Sequence, residues 1–222
     1  MRAFAANGSK VAFVDIQEGP GKALATELGA LFIACDITDT GALVAAITTT
    51  RDQLGPISVL VNNAANDDRR AIDDVSPDYW DRQMDINLKP QFFAAQAVRP
   101  QMQALGGGSI INFSSISWRY GADMMSVYAT AKSATIGLTN ALARGFGADN
   151  IRVNSIEPGA VMTDRQRALW YKEPADVDRM VNQQILKQVL TGDHIARMVL
   201  FLAADDSAMI TKQTFIVDAG MR

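Results

Sequence analysis

The fold class is decided by residues 109–156, which read SIINFSSISWRYGADMMSVYATAKSATIGLTNALARGFGADNIRVNSI. This segment begins with the apolar run Ser109–Phe113 and ends with a second apolar run, Ile151–Ile156. Between the two runs, the amphipathic stretch Met124–Gly147 predicts a long helix. Short strands that are apolar almost throughout, and that are joined by a helix, are typical of parallel strands buried on both faces.

The same alternation of short apolar runs and longer amphipathic stretches continues on both sides of this segment. Further strands are predicted at Lys10–Asp15, Leu31–Cys35, Val59–Asn62 and Thr214–Val217. Further helices are predicted at Gly21–Leu28, Gly41–Leu54, Pro77–Leu105, Asp176–Lys187 and Gly192–Ala204. Strands that alternate with helices predict an α/β fold of three layers, a doubly wound parallel sheet of the Rossmann-like type.

The first residues depart from this scheme, because the chain opens inside a helix. Met1–Asn7 predicts the last turns of a helix, which Asn7 and Gly8 would end as a left-handed cap. A doubly wound sheet normally begins with a strand and a glycine-rich turn before such a helix. We therefore expect residues 1–222 to form a single Rossmann-like dehydrogenase domain that is N-terminally truncated and lacks the first strand. A genuine short variant is the alternative.

Composition argues against several classes of partner. The net charge is −3 and the isoelectric point is about 5.2, so neither nucleic acid nor an anionic membrane is expected to bind. No apolar run is long enough to span a bilayer, and we expect no signal peptide in the first residues. The single cysteine, Cys35, excludes an internal disulfide and suits a cytoplasmic location. No spacing of ligand residues predicts a metal site.

Three residues in the quoted segment have the chemistry of an acid/base site. Tyr128 and Lys132 are four residues apart in a predicted helix, so they share one face. A nearby cation favours phenolate, lowers the tyrosine pKa and makes Tyr128 a general base. Ser115 closes a strand at the carboxyl end, where ligands bind in open α/β sheets. The alternatives are an exposed tyrosine beside a solvated lysine, and a Ser-Ser turn.

Other polar or glycine-containing motifs also follow predicted strands. Asn62-Asn63-Ala64-Ala65 would let a flat ligand approach the backbone closely, although an Asx turn explains it too. Pro158–Thr163 contains a rigid Pro-Gly turn, and its threonine hydroxyl could contact a carboxamide or a pyrophosphate. Asp15 ends an early strand, where an acid in a nucleotide-binding fold bonds a ribose 2′-hydroxyl and repels a 2′-phosphate. Asp15 could instead be a loop aspartate that starts a turn.

Taken in order, these motifs resemble the short-chain dehydrogenase/reductase family over nearly the whole chain. The ordered set consists of Asp15, Asn62-Asn63-Ala64-Ala65, Asn87-Leu88-Lys89, Ser115 thirteen residues before Tyr128, Tyr128-x-x-x-Lys132 and Pro158-Gly159-x-x-x-Thr163. Each motif is weak alone, and the series in this order is specific. The chain departs from the family in lacking its Thr-Gly-x-x-x-Gly-x-Gly turn, and in having Thr211-Lys212-Gln213 where Thr-Gly-Gln is usual.

The resemblance implies a role for each matching residue. Tyr128 would be the acid/base, Lys132 would hold the nicotinamide ribose and lower the Tyr128 pKa, and Ser115 would orient the substrate oxygen. Asn87 would support a water that links Lys132 to solvent. The implied cofactor contacts are Asp15, Ile16, Asp36, Ile37, Asn63, Ala64, Tyr128, Lys132, Pro158, Gly159, Val161 and Thr163. Asp15 favours NAD over NADP. A homodimer or homotetramer is implied, built on the helices of Pro77–Leu105 and Met124–Gly147.

Three segments resemble the bacterial aldose 1-dehydrogenases within this family, which oxidise sugars to lactones. They are Asn66–Arg69, Ser115–Trp118 and Arg165–Tyr171. The resemblance implies substrate contacts at Asp67, Ser117, Trp118, Gln166 and Trp170. The two tryptophans could instead pack a mobile lid onto the core. The predicted function is NAD-dependent hydride transfer from an aldose C1 or another secondary alcohol. The alternatives are a 3-oxoacyl or other carbonyl reductase, and a non-catalytic truncated fragment or subunit.

Overall fold

Parallel strands form the middle layer of this computed structural model, which describes residues 1–221. The strands found in that range are β1 Ala12–Asp15, β2 Leu31–Ala34, β3 Val59–Asn62, β4 Gly108–Phe113, β5 Ile151–Pro158 and β6 Thr214–Val217. Each pair of neighbours is parallel, as predicted. The predicted strands are confirmed with small differences in their bounds. β1 starts two residues later than predicted, β2 ends one residue earlier, β4 starts one residue earlier and β5 runs two residues further, to Pro158.

The helices cover both faces of the strands, which confirms the predicted α/β three-layer class. They are α1 Arg2–Ala6, α2 Glu18–Leu28, α3 Thr40–Leu54, α4 Pro77–Asn87, α5 Lys89–Ala104, α6 Ser126–Phe146, α7 Asp164–Leu169, α8 Pro174–Gln183 and α9 Gly192–Ala203. Ile110 and Ile111 show how β4 serves two cores. Ile110 packs with α3, α5 and α6 on one face, and Ile111 packs with α9 on the other. Successive side chains of a strand point to opposite faces, and helices cover both faces here, so both isoleucines are fully buried.

The sheet is interrupted between β1 and β3. The strand order is β3-β4-β5-β6 in one sheet, and β1 and β2 form a separate pair. β1 and β3, which both end near predicted cofactor residues, are therefore not paired with each other within the described residues. β4 and β5 are largely buried, whereas β1, β2 and β3 are only partly buried.

Two predicted helices are wrong in their extent. The stretch predicted as Asp176–Lys187 is α8, which ends at Gln183, four residues earlier than predicted. The stretch Pro77–Leu105 forms two helices, α4 and α5, which meet at Leu88. Leu88 has φ −129° and ψ −54°, outside regular helix geometry. Pro90 explains the break, because a proline ring cannot donate a backbone hydrogen bond and fits best in the first turn of a new helix.

The predicted helix end at the start of the chain is confirmed. Ser9 N–H donates to the Phe4 carbonyl at 3.1 Å, and Gly8 N–H donates to the Ala5 carbonyl at 2.9 Å. This is the Schellman pattern that ends a helix. Gly8 has the left-handed φ of +77° that this pattern requires.

Candidate active site

The carboxyl ends of the strands bring the predicted site residues to one edge of the fold. Asp15 ends β1, Asn63 follows β3, Ser115 lies two residues after β4 and Pro158 ends β5. Parallel strands all have their carboxyl ends on the same side, so residues more than 40 positions apart in sequence lie along one crevice.

Ser115 and Tyr128 form the centre of this edge. The two side chains are neighbours, and Ser115 Oγ accepts a hydrogen bond from Ser117 N–H at 3.2 Å. Burial raises the pKa of the Tyr128 phenol above its ordinary value, and the charge of Asp67 raises it further, while the Ser115 side chain lowers it. Two hydroxyls in contact at the carboxyl end of β4 can together bind a substrate oxygen.

Lys132 lies below Tyr128 on the same face of α6, as the four-residue spacing predicts. Its Nζ is 5.4 Å from the centre of the Tyr128 ring and donates to the Phe113 carbonyl at 2.9 Å. The side chain is only 1% exposed, and burial lowers the pKa of Lys132 to about 8. The predicted lowering of the Tyr128 pKa by Lys132 is wrong for this structure. Its ammonium lies over the ring and is bonded to Phe113, so burial dominates at the phenol.

Asn87 is fully buried and fastens the loop after β3 to the end of α4. Its Oδ1 accepts from Asn66 N–H at 2.9 Å, and its Nδ2 donates to the Asn66 carbonyl at 3.0 Å. Nδ2 also donates to Gln83 Oε1 at 2.9 Å. This side chain therefore sets the path of the loop that leads to Asp67. Its role toward a water beside Lys132 stays a prediction.

The residues predicted to hold a nicotinamide cofactor line the crevice on both sides of the sheet interruption. Asp15 Oδ1 accepts from Gln17 N–H at 2.9 Å, which holds the exposed carboxylate at the end of β1. Ile16 beside it is 70% exposed, an unusual state for an isoleucine and one that fits a flat apolar partner. Asp36 accepts from Thr38, which keeps the pKa of its carboxyl below the ordinary value. These groups suit the nucleoside part of a nicotinamide cofactor.

The remaining cofactor candidates lie near the other half of the crevice. Asn63 and Ala64 are exposed after β3, Ile37 packs on the core next to Asp36, and Val161 packs on the opposite core. A Cβ added to Gly159 would lie 2.8 Å from the Asp218 Cα, so this turn has space only for glycine. Thr163 Oγ caps α7 by accepting from Gln166 N–H at 3.2 Å.

The substrate candidates Asp67 and Gln166 contact each other across the crevice. Gln166 Nε2 donates to Asp67 Oδ2 at 2.5 Å, and Arg165 Nη2 donates to Asp67 Oδ1 at 3.2 Å. Arg165 also donates to Asn66 Oδ1 at 3.0 Å. Helix α7 is thus tied to the loop after β3 by polar groups, and the Asp67 charge is close enough to Tyr128 to raise its pKa.

The two tryptophans have different partners. Trp118 Nε1 donates to Glu157 Oε1 at 3.1 Å, and Arg119 lies over the ring at 4.5 Å. Trp170 is covered by the Arg69 guanidinium at 4.0 Å from the ring centre. Neither ring therefore has both faces free for a ligand. Ser117 is 2% exposed. Within the described residues, neither Ser117 Oγ nor the buried Trp170 Nε1 has a hydrogen-bond partner.

Sequence reasoning missed three features of this site. Helix α7 was not predicted, although Thr163 with Gln166 three residues later is a capping-box signal for a helix start. Arg69 stacks on Trp170, and no local pattern in the sequence indicates this contact. Glu157 was not singled out, because nothing in the sequence shows that two residues 38 and 39 positions away bind it.

Comparisons with known proteins agree with this geometry. The model of the family described as enoyl-(acyl carrier protein) reductase matches residues 1–222. A probable galactose dehydrogenase of Rhizobium meliloti is 44% identical, over 100% of this chain and 88% of that protein. A D-xylose 1-dehydrogenase of Caulobacter vibrioides is 41% identical, over 99% of this chain and 88% of that protein. A solved structure assigned as a short-chain alcohol dehydrogenase from Sinorhizobium meliloti has a TM-score of 0.91 and 32% identity, covering 99% of this chain and 88% of that one.

The parallel three-layer fold, with two hydroxyls and a buried lysine at its carboxyl edge, defines a Rossmann-like oxidoreductase that acts on CH–OH groups. The chain belongs to the short-chain dehydrogenase/reductase family. That family uses nicotinamide cofactors. Within residues 1–221, no helix is long and apolar enough to cross a membrane.

Proposed function

We propose that this protein is a sugar dehydrogenase that oxidises an aldose at C1 to the lactone with NAD. The observation that carries the proposal is a cluster of polar side chains near Tyr128, which consists of the Asp67 carboxylate and the Asn66 and Gln166 amides. Such groups suit the hydroxyls of a sugar and are a poor match for a long acyl chain. The relatives named as galactose and D-xylose dehydrogenases support the same class of substrate.

The chemistry assigned to the chain is proton transfer and orientation. When bound, the nicotinamide supplies the acceptor for the hydride. Tyr128 removes the proton of the sugar hydroxyl, while Ser115 donates a hydrogen bond to the same oxygen. Lys132 holds the cofactor ribose, and Ser117, Trp118, Gln166, Trp170 and Asp67 surround the sugar. Positioning of this kind contributes to the rate because the reacting groups are already aligned.

The choice of NAD rests on Asp15. Its exposed carboxylate at the end of β1 can accept bonds from ribose hydroxyls and repels a 2′-phosphate. Asp15→Ala is expected to weaken the preference for NAD⁺ over NADP⁺, measured as the ratio of kcat/KM values. An unchanged ratio would remove the basis for the NAD assignment.

The assembly proposed is a homodimer or homotetramer in the cytoplasm. A groove of about 310 Å³ between α4, α5 and α6 is lined mainly by apolar side chains, including Phe92, Phe93, Leu88 and Leu138. Phe92 is 42% exposed, which a second copy of this surface would cover. Light scattering of Phe92→Ser against the native chain tests the oligomer.

Two alternatives are kept because specific observations favour them. The raised pKa of Tyr128 favours the neutral phenol, which is the proton donor that a carbonyl reductase needs. The interruption between β1 and β3 favours a truncated fragment without catalysis, because it divides the proposed cofactor crevice.

The deciding experiment measures NAD⁺ reduction at 340 nm with D-xylose, L-arabinose, L-fucose and D-galactose. It compares the present chain with a version extended upstream, and both with their Tyr128→Phe variants. Turnover of a sugar that Tyr128→Phe abolishes supports the proposal. If neither version oxidises a sugar but either reduces a carbonyl compound with NADH, the reductase is correct. If neither does either, the fragment alternative is correct.

A further inference from the structure

Glu157 is a fully buried carboxylate near the end of β5 that the proposed chemistry does not use. Its exposed fraction is 0%. Trp118 Nε1 donates to its Oε1 at 3.1 Å, and Arg119 Nη2 donates to the same oxygen at 3.2 Å. Arg119 Nε donates to the other oxygen, Oε2. Both donors come from the short segment that follows Ser115, so one acid binds two neighbouring residues of that segment.

A buried acid of this kind needs a reason beyond stability. A buried ion pair loses hydration that its own attraction only partly restores, so an apolar side chain at the same position often stabilises a fold as well or better. Val153 lies on the same face of β5 as Glu157, because side chains alternate along a strand, and it is fully buried in an apolar core. Glu157 contributes directional hydrogen bonds instead, because a carboxylate fixes the positions of the N–H groups that it binds.

The segment that Glu157 holds is a single tight turn with Ser115 at its other end. Arg119 N–H donates to the Ile116 carbonyl at 2.9 Å, and Ser117 N–H donates to Ser115 Oγ at 3.2 Å. The Ser115 side chain in turn lies next to the Tyr128 phenol and lowers its pKa. The turn is therefore held at one end by β4, whose last residue is Phe113, and at the other end by Glu157.

We propose that Glu157 is a positioning residue, which holds the Ser115–Arg119 turn so that Ser115 meets Tyr128 and the substrate oxygen. The proposal rests on the proposed function, in which Ser115 binds that oxygen. It also accounts for Trp118, whose only polar atom is used by Glu157 and whose ring plane is thereby set. Because Glu157 directly precedes Pro158, the same strand end bears the cofactor turn and fixes the substrate turn relative to it.

The chain contains a matched control at the opposite end of the same strand. Asp149 lies two residues before β5 and accepts from Arg99 Nε at 2.8 Å. Arg99 also lies over the Phe146 ring, at 4.6 Å from its centre. This site repeats the arrangement of arginine, aromatic ring and carboxylate, but at the amino end of β5, away from the carboxyl edge. Asp149→Asn therefore removes a comparable pair without touching the proposed site.

The test compares Glu157→Gln with Asp149→Asn. Glutamine keeps one oxygen for the Trp118 N–H, but its amide nitrogen cannot accept from Arg119, so the turn loses its charged contact. For Glu157→Gln we expect kcat with the best aldose to fall on the order of 10- to 100-fold, because Ser115 is displaced from its aligned position. The KM for NAD⁺ should change little. For Asp149→Asn we expect kcat near the native value.

A second measurement does not depend on turnover. The indole N–H resonance of Trp118, assigned with Trp118→Phe in ¹⁵N-labelled protein, should shift and broaden in Glu157→Gln and stay in place in Asp149→Asn. Native kcat together with an unshifted resonance in Glu157→Gln would overturn the proposal. An equal loss of kcat in both variants would do so as well, because the effect would then be general destabilisation. If the native protein oxidises no sugar, the proposed function fails, and the resonance alone decides whether Glu157 orders the turn.

Discussion

Tyr128 shows how one residue's surroundings set its chemistry. Partial burial and the Asp67 charge both raise the pKa of its phenol, and the Ser115 side chain lowers it. The nearby Lys132 ammonium is directed at the Phe113 carbonyl instead of the phenol oxygen. Sugar oxidation needs the phenolate, so the balance at this residue sets the pH at which the proposed reaction can run.

Asp67→Asn is expected to move the pH dependence of the proposed oxidation toward lower pH. A negative charge disfavours a second negative charge, so removal of the Asp67 charge lowers the Tyr128 pKa. The rate rises with pH as the phenol ionises, and that rise should begin at lower pH in the variant. The measurement is kcat/KM for the best aldose across the alkaline range.

Asp68→Asn is the matched control for that prediction. Asp68 is the neighbour of Asp67 in the same loop, but its charge raises the pKa of Tyr79 instead. The rise in rate should therefore begin at the native pH in Asp68→Asn. An equal displacement in both variants would mean that the charge of the loop as a whole acts on Tyr128, and the specific role of Asp67 would be lost.

At the scale of elements, the packing of α2 on β2 depends on one glycine. A Cβ added to Gly21 would lie 2.3 Å from a ring carbon of Phe32. Phe32 also packs on Phe13, with ring centres 5.3 Å apart, so the ring has limited room to move. Gly21→Ala is therefore expected to lower the free energy of unfolding by about 1–3 kcal/mol, as overpacking usually does.

Gly19 in the same helix provides the control. A Cβ there meets no heavy atom within 4 Å. Alanine is a better helix former than glycine, so Gly19→Ala should raise the free energy of unfolding by up to about 1 kcal/mol. Urea unfolding of both variants measures the difference. Two variants of equal stability would show that Phe32 yields without cost.

The sequence predicts elements well where periodicity is strong and poorly where a side chain acts at a distance. The apolar runs place β3 and β6 correctly, and the four-residue spacing places Tyr128 and Lys132 on one face of α6. The break at Leu88 had a local signal in Pro90, which the long amphipathic pattern obscured. The partners of Glu157 and the stacking of Arg69 on Trp170 join segments far apart in sequence, so no local pattern indicates them.

At the scale of the whole molecule, the sheet interruption creates two units of unequal support. The pair β1–β2 has no ladder to the other four strands within the described chain, and an isolated two-stranded pair is only marginally stable in water. Its support comes from α2, which packs against Phe32, and from one core, in which Val14 and Cys35 pack with α3, α5 and α6. β4 and β5 are supported from both faces. The β1–β2 pair, which bears Asp15 at one end of the proposed cofactor crevice, is therefore the less stable of the two units.

Native-state hydrogen exchange should separate the two units. The amides of β1 and β2 are expected to exchange through local opening, with a lower free energy than the amides of β4 and β5, which exchange only on global unfolding. The partly buried edge strand β6 is the internal control, since it is exposed to a similar degree but paired to β5. If β1, β2 and β6 open together, exposure explains the difference. If β6 exchanges with β5 while β1 and β2 open first, the missing pairing between β1 and β3 is the cause. In that case a bound nucleotide that contacts Asp15 should raise the protection of the β1 and β2 amides selectively, because ligand binding stabilises the state that binds it.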